Sequence, residues 1–132
     1  MTVDDPEVKA EVEAAFATYE RALVINDVAA LDGFFFSSEQ AVRYGAAENL
    51  YGYDAIKAFR AGRSPASLAR TLERTLIVTY GRDLAVAATL FRRNGAPGKI
   101  GRQMQTWVRF AEGWRIVAAH VSLLGEPTVM KA

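Results

Sequence analysis

The chain has 132 residues, a length that fits one domain around one hydrophobic core. Hydrophobic residues make up 51% and charged residues 23%, which is typical of a globular protein, and no apolar run approaches the roughly 20 residues that would span a bilayer. The sequence has no cysteine and one histidine, His120, so it excludes disulfides, thiolate nucleophiles and sites built from several histidines.

Charge is distributed unevenly, although the net charge is only +1. Residues 1–39 contain nine acidic and two basic side chains, a sum of −7, and residues 40–132 contain six acidic and fourteen basic ones, a sum of +8. Such a field would draw a small anion toward a cleft in the later part. A solvated acidic helix face beside arginine-bearing strands explains the pattern equally well. The basic residues form no tight run with exposed aromatic residues, so nucleic acid is not an expected partner.

The start of the chain and the spacing of its carboxylates further limit the classes of protein to which it can belong. Residues 1–9 are polar and acidic, so we expect no secretory signal, and with the absence of cysteine this favours a cytoplasmic location without a membrane. No carboxylates are spaced like a metal cage, so we expect neither a metal nor a cofactor.

The first predicted element is a helix that begins at Asp4-Asp5-Pro6 and ends near Asn26. Apolar residues recur at steps of three and four, and Tyr19 falls in this buried stripe while Glu20 and most other charged residues lie outside it. A buried tyrosine hydroxyl needs a partner. Tyr19 is therefore either a core residue bonded to a carbonyl or a group of a functional site.

Two shorter helices and a strand follow. Asp27 caps a second helix that runs into Phe34-Phe35-Phe36, and residues 54–60 form a third helix that Arg60 and Arg63 close. Between them, residues 41–45 alternate like a strand, so Arg43 shares a face with Ala41 and Gly45 while Tyr44 points away. If the small-residue face looks inward, Arg43 needs an anion, which is either Glu48 or a ligand.

The second half predicts a four-stranded antiparallel meander over residues 68–80, 84–93, 99–110 and 114–124, joined by tight turns. With the earlier strand it forms a strongly curved sheet that the three helices cover on one side, an α+β fold. Gln103, Gln105 and Trp107 fall on one face, and we expect Trp114, Ile116, Ala118, His120 and Ser122 to share a face of the last strand. Such a mixed surface is either a lined cavity or a subunit interface.

The order of elements and several residue strings resemble the nuclear transport factor 2-like superfamily, a cone-shaped fold that includes the SnoaL-like and ketosteroid isomerase-like proteins. Within it, the chain is similar to the AtzH-like family along nearly its whole length, as a single domain over residues 1–132. One departure is Phe35-Phe36, where a tryptophan is expected in the pair. The strings that carry the resemblance are Tyr19 to Leu23 with Asn26-Asp27, Val42 to Gly45 with Glu48 and Leu50 to Gly52, Ile56 with Phe59-Arg60 and Arg63, Gly101 to Gln103 with Gln105 to Trp107, and Gly113 to Ser122.

The resemblance implies a small amidohydrolase-type enzyme found with amidases in cyanuric acid and oxalurate degradation. The implied reaction converts 1,3-dicarboxyurea to allophanate, and a related carboxylated urea or oxalurate-like acid is also compatible. The family's proposed catalytic pair falls on Tyr19 and Arg43. A homodimer and a functional link to an amidase are expected as well.

A mechanism follows from these residue types. Arg43 would anchor one carboxylate, and Arg60, Arg63 or Arg70 would receive the other end. Tyr19 would supply a proton to the leaving nitrogen or orient it, with the Tyr19 phenolate stabilised by Arg43. The remaining substrate-binding candidates are Glu48, Tyr51, Gln105, Trp107 and His120. Two alternatives remain: a non-catalytic carboxylate-binding subunit that works with an amidase, and an interaction protein whose sheet face is a dimer surface. A ketosteroid-type isomerase is disfavoured, because its general-base aspartate has no counterpart near Arg43.

Overall fold

The computed structural model describes residues 1–65 and 68–126, so the last part of the predicted domain and residues 66–67 lie outside it. Within the described residues it contains three helices and six strands. The helices are α1 (Pro6–Val24), α2 (Val28–Phe34) and α3 (Tyr53–Ala61), and the strands are β1 (Val42–Tyr44), β2 (Asn49–Tyr51), β3 (Arg70–Tyr80), β4 (Leu84–Arg93), β5 (Lys99–Phe110) and β6 (Gly113–Gly125).

Helix α1 begins as predicted. The Asp5 carboxylate accepts hydrogen bonds from the backbone N–H groups of Glu7 and Val8, at 3.0 and 3.5 Å, and Pro6 occupies the first turn, where its missing N–H has no intrahelical partner to lose. The predicted apolar stripe is buried and forms the helical side of the core. Its buried members are Val8, Val12, Phe16, Tyr19, Ala22 and Leu23.

The sheet has the order β2-β1-β6-β5-β4-β3, and the four long strands form the predicted antiparallel meander. The α+β architecture with a curved sheet is confirmed. Strand β2 was not predicted, and the pairing of β1 with β6 is parallel rather than antiparallel. Both differences involve strands of three residues, whose alternation identifies the faces but not the neighbouring strand.

Two β-bulges decide which residues face the helices. In β3 the register shifts between Glu73 and Leu76, and Arg74 within this bulge has a φ of 53°. Arg70 and Leu72 face inward before the bulge. After it, the inward residues are Ile77 and Thr79.

A bulge at Val117 of β6 has the same effect. Thr106 pairs with Ala118 and Trp107 with Ile116, so Val117 is the extra residue. The predicted common face of Trp114, Ile116, Ala118, His120 and Ser122 is therefore wrong: Trp114 and Ile116 are buried, but after the bulge the buried residues are Ala119 and Val121. A strict two-residue alternation cannot anticipate an inserted residue.

Helix α3 is attached to α2 by a buried ion pair. Arg60, which is 3% exposed, donates to the Asp32 carboxylate at 2.8 Å and lies 5.0 Å from the centre of the Phe35 ring. The Tyr53 hydroxyl donates to the Asp32 carbonyl oxygen at 3.2 Å. These contacts fix the segment that leads into Arg63. Among the described residues, no helix is long and apolar enough to cross a membrane.

Candidate functional site

A small cavity of about 20 Å³ lies between α1 and the inner face of the sheet, and we call it the inner cavity. A wider outer cleft of about 310 Å³ adjoins it and shares Arg43, Arg63, Arg93 and Val121 with it. Three guanidinium groups therefore border both spaces. The residues that line the inner cavity are Tyr19, Leu23, Arg43, Arg63, Arg70, Arg93, Gln103, Gln105, Ala119 and Val121.

Tyr19 and Arg43, predicted from different parts of the chain, both line the inner cavity. The Tyr19 side chain is 5% exposed, and its ring packs edge-on against Phe34 and Trp107, with ring centres 6.0 and 6.3 Å apart. Its hydroxyl makes no hydrogen bond to any residue within 1–65 and 68–126. The alternative in which a backbone carbonyl satisfies Tyr19 is therefore wrong for the described residues, and the hydroxyl is available to a ligand.

Arg43 faces inward from β1, as the small-residue alternation predicts. Ala41 is buried at 1% exposure, whereas Tyr44 is 37% exposed. The Arg43 guanidinium donates to Glu48 at 2.7 Å and lies 5.4 Å from the centre of the Phe59 ring. Gly45 makes this pair sterically feasible, because a Cβ atom there would overlap the Glu48 carboxylate.

Arg70 is also paired. Its guanidinium donates to both carboxylate oxygens of Glu20, at 2.6 to 3.1 Å, and to Gln103 Oε1 at 2.9 Å. The Arg70 and Glu20 side chains are 2% and 12% exposed. The prediction that Glu20 lies outside the buried face of α1 is wrong, because the bulge in β3 directs a cation onto that side of the helix.

Arg63 and Arg93 differ from the other two arginines, because none of the described residues supplies a carboxylate to either. Nε and Nη2 of Arg63 and Nε of Arg93 are buried without a hydrogen-bond partner. Burial lowers the pKa of Arg63, as do Arg60, Arg43 and Arg93, while Tyr19 opposes this shift. Burial also lowers the pKa of Arg93, and Arg70 and Arg43 lower it further. Both guanidinium groups are partly buried, and within the described part of the chain neither has the anion that would compensate its lost hydration.

An aromatic platform supports two of the guanidinium groups. Arg70 and Arg93 lie 4.4 and 5.1 Å from the centre of the Phe91 ring. Phe91 pairs with Gly101 across β4 and β5, and a Cβ at Gly101 would overlap the ring. Glycine is therefore required here so that Phe91 can lie against the sheet and present its face to cations.

Gln105 offers a hydrogen-bond donor to the inner cavity. Its amide oxygen accepts from the Trp107 indole N–H at 3.1 Å, and both side chains are almost completely buried. An indole N–H can only donate, so this contact orients the amide and leaves its NH₂ group for the cavity. Trp107 therefore orients Gln105 and does not itself line the inner cavity.

Four predicted substrate-binding residues lie outside both spaces: Trp107, as described above, and three others. Arg60 is committed to Asp32, so its guanidinium does not reach the cavity. Tyr51 is 66% exposed and shares a hydrogen bond with Tyr44, which raises the pKa of Tyr51. His120 is exposed on the opposite side of β6, against the Tyr44 ring, because of the bulge at Val117. Of the remaining candidates, Glu48, Arg63 and Gln105 line the inner cavity or the outer cleft.

The phenylalanines after α2 do not line either space. Phe35 covers Arg60 and Phe36 stacks on Phe110, with ring centres 4.5 Å apart. The departure from the expected tryptophan at Phe35-Phe36 therefore falls outside the inner cavity.

Sequence reasoning missed Arg93 and the pairing role of Glu20. Arg93 had a usable signal, because alternation along β4 puts it on the same face as Ala85, Ala87 and Phe91. The sequence contained no such signal for Glu20, because its partner Arg70 turns inward only through the bulge in β3.

Another hollow, of about 580 Å³, is lined by residues of the neighbouring strands β3, β4 and β5. It includes Leu76 and Met104, which are 59% and 55% exposed. It shares Gln103 with the inner cavity, but neither Tyr19 nor Arg43 lines it.

The sequence matches the model of the AtzH-like family over residues 1–127. A protein of unknown function from the DUF3225 family of Pectobacterium atrosepticum is 60% identical, with a TM-score of 0.90 over 92% of this chain and 94% of that one. A cystatin-like fold protein from Burkholderia xenovorans is 47% identical, with a TM-score of 0.92 over 96% and 99% of the two chains.

More distant structures share the fold alone. A nuclear transport factor 2-like protein of unknown function from Pseudomonas putida is 16% identical, with a TM-score of 0.75 over 96% of this chain and 93% of that one. No curated protein matches the sequence.

Proposed function

Because the chain belongs to the AtzH-like family of the nuclear transport factor 2-like superfamily, we propose that it removes a terminal carboxyl group from a small carboxylated urea. The favoured substrate is 1,3-dicarboxyurea, with allophanate as product, and an oxalurate-like acid is the related option. The observation that carries this proposal is a Tyr19 hydroxyl that no described residue engages in a hydrogen bond, in a cavity lined by guanidinium groups.

Some residues of the site anchor the substrate, and another transfers a proton. Arg43 binds a planar carboxylate, since a guanidinium can donate two parallel hydrogen bonds to it. The NH₂ group of Gln105 would donate to the urea carbonyl oxygen, held in orientation by Trp107. Tyr19 is then the group that meets the nitrogen from which the carboxyl group leaves.

The chemical step balances with water as the only additional reactant. The bond between nitrogen and the carboxyl carbon breaks, its electron pair stays on nitrogen, and carbon dioxide departs. The Tyr19 hydroxyl donates its proton to that nitrogen, and water then returns a proton to the phenolate. The hydroxide that remains combines with carbon dioxide as bicarbonate. A dianionic dicarboxyurea thereby gives the monoanion allophanate.

Arg63 is the cation best suited to stabilise the Tyr19 phenolate. Tyr19 and Arg63 both line the inner cavity, and the charge of Tyr19 opposes the lowering of the pKa of Arg63. Arg43 lines the same cavity but is already paired with Glu48. The proton donor and its supporting cation would therefore be Tyr19 and Arg63, while Arg43 acts as the anchor.

Substrate binding must widen the inner cavity. Its volume of about 20 Å³ accommodates about one water molecule. The outer cleft of about 310 Å³ can receive one end of a small acid, and the shared arginines lie between the two spaces. We therefore expect Arg63 or Arg93, which no carboxylate in residues 1–65 and 68–126 holds, to move on binding.

The other candidate function is a non-catalytic subunit that binds a carboxylate and works with an amidase. The observation in its favour is the paired state of Arg43, whose Glu48 partner already neutralises one charge. Saturable binding of the acid without turnover, in the presence and absence of an amidase, would distinguish this function from catalysis.

The expected homodimer remains part of the proposal. Leu76 and Met104 are exposed apolar residues beside the 580 Å³ hollow of the sheet, and burying them would require a second apolar surface. Met104→Glu should then favour the monomer in sedimentation experiments. An unchanged sedimentation coefficient, or a monomeric parent protein, would contradict this arrangement.

Allophanate formation from freshly generated 1,3-dicarboxyurea tests the function. We expect turnover above the spontaneous rate in the purified protein, and a large loss in Arg43→Lys, because an ammonium group cannot make the bidentate contact. The matched control is Arg82→Lys, whose side chain is 58% exposed. A rate equal to the spontaneous one in the parent protein would refute catalysis on this substrate.

A further inference from the structure

The arginines of the site are not balanced by the carboxylates that contact them. Arg43 pairs with Glu48 and Arg70 with Glu20, whereas Arg63 and Arg93 have no carboxylate partner among the residues the structure describes. Four cations and two anions leave a charge of +2. This charge is concentrated at the boundary between the inner cavity and the outer cleft, which Arg63 and Arg93 both line.

An unbalanced pair of partly buried cations is unfavourable in the free protein. Three nitrogen atoms of Arg63 and Arg93 are buried without a hydrogen bond, and such groups lose hydration without gaining a partner. The pKa of each guanidinium is lowered first by burial and then by neighbouring arginines. A ligand with complementary charge would remove this cost on binding.

We propose that Arg63 and Arg93 form a second carboxylate-binding pair, and that the +2 charge of the site selects a dianion over a monoanion of the same size. Arg43 holds one carboxylate and the Arg63–Arg93 pair holds the other. Arg60 is excluded by its pairing with Asp32, and Arg70 by its bidentate pairing with Glu20. This inference rests on the proposed function, since it assigns the second end of the same substrate.

The Phe91 platform explains how Arg93 is held for this role. Its guanidinium lies 5.1 Å from the centre of the Phe91 ring, a contact that positions a cation without neutralising its charge. Arg70 lies over the same ring but is additionally neutralised by Glu20. Arg93 is thus oriented while its full charge remains available to a ligand.

Calorimetric titration with malonate and with its half-amide, malonamate, tests the proposal at low ionic strength. The two probes have nearly the same size but differ by one negative charge. We expect malonate to bind about 10- to 100-fold more tightly than malonamate, the range for charge-assisted hydrogen bonds. In Arg93→Met this preference should disappear, with malonamate affinity little changed.

A thermal unfolding scan of the same variants separates this role from a structural one. Without ligand, Arg93→Met should melt at or above the parent temperature, because a partly buried cation without a described carboxylate partner is removed. Malonate should no longer raise the melting temperature of this variant. Arg82→Met is the matched control, with an exposed arginine lost and the malonate effect retained.

Two results would overturn the proposal: equal binding of malonate and malonamate by the parent protein, including no binding of either, or full malonate affinity in Arg93→Met. Its failure differs from that of the proposed function. Dianion-selective binding without turnover of 1,3-dicarboxyurea would refute the function alone, whereas turnover with undiminished malonate affinity in Arg93→Met would refute the second carboxylate pair alone.

Discussion

The buried pair of Arg60 and Asp32 provides a quantitative prediction about stability. Asp32→Leu replaces the carboxylate by an apolar group of the same branching and leaves the Arg60 guanidinium, 3% exposed, without its anion. Removing one partner of a buried ion pair typically costs about 3–5 kcal/mol. For a chain of this size that corresponds to a melting temperature lower by about 10–20 °C. Arg60→Met should cost a similar amount, because it strands the carboxylate.

The double variant Asp32→Leu/Arg60→Met is the informative control. With both charges removed, neither group is buried unpaired, so the double variant should be more stable than either single variant. Urea unfolding followed by circular dichroism measures all three free energies of unfolding, provided that the slopes with urea agree. Single variants within about 1 kcal/mol of the parent, in the range of surface pairs, would refute the assignment of Arg60 as a structural residue.

Three further predictions concern the site and its surroundings. Gly45→Ala should displace the Glu48 carboxylate and reduce kcat/KM at least about tenfold with the fold retained; unchanged kinetics would contradict the steric argument. Trp107→Phe should leave the Gln105 amide oxygen buried without its donor and lower stability by about 1–3 kcal/mol, as measured by urea unfolding; no loss would refute that role. His120→Ala should retain parental kcat and KM, because His120 lies on the exposed side of β6, and a kinetic defect with the fold retained would contradict this placement.

The sequence was informative where local pattern determines structure. The amphipathic stripe of α1, the Asp5 cap and the four-strand meander follow from periodicity and turn residues, and the alternation around Ala41 and Gly45 correctly turned Arg43 inward. Together with the resemblance, these patterns identified Tyr19 and Arg43, which the fold brings to one cavity.

The remaining differences arise from interactions between distant residues. Alternation assumes one residue per step, so the bulge in β6 reversed the face that it predicts for His120. The bulge in β3, which turns Arg70 toward Glu20, is likewise invisible to a two-residue pattern. A helical pattern shows that Glu20 borders the buried stripe, but it does not show that Arg70 lies opposite Glu20 in the folded protein. Likewise, the sequence contains several arginines near α3, and only the packing of α2 against α3 shows that Arg60 is neutralised while Arg63 is not.

The proton-donor role of Tyr19 is the central claim, and the most direct test is single-turnover decay of 1,3-dicarboxyurea on Tyr19→Phe with the parent protein beside it. Phenylalanine preserves the ring that packs against Phe34 and Trp107 and removes only the hydroxyl. We predict a turnover rate lower by about 10²- to 10⁴-fold, with malonate affinity retained. Parental turnover in Tyr19→Phe would contradict the account, because the proton would then come from another group.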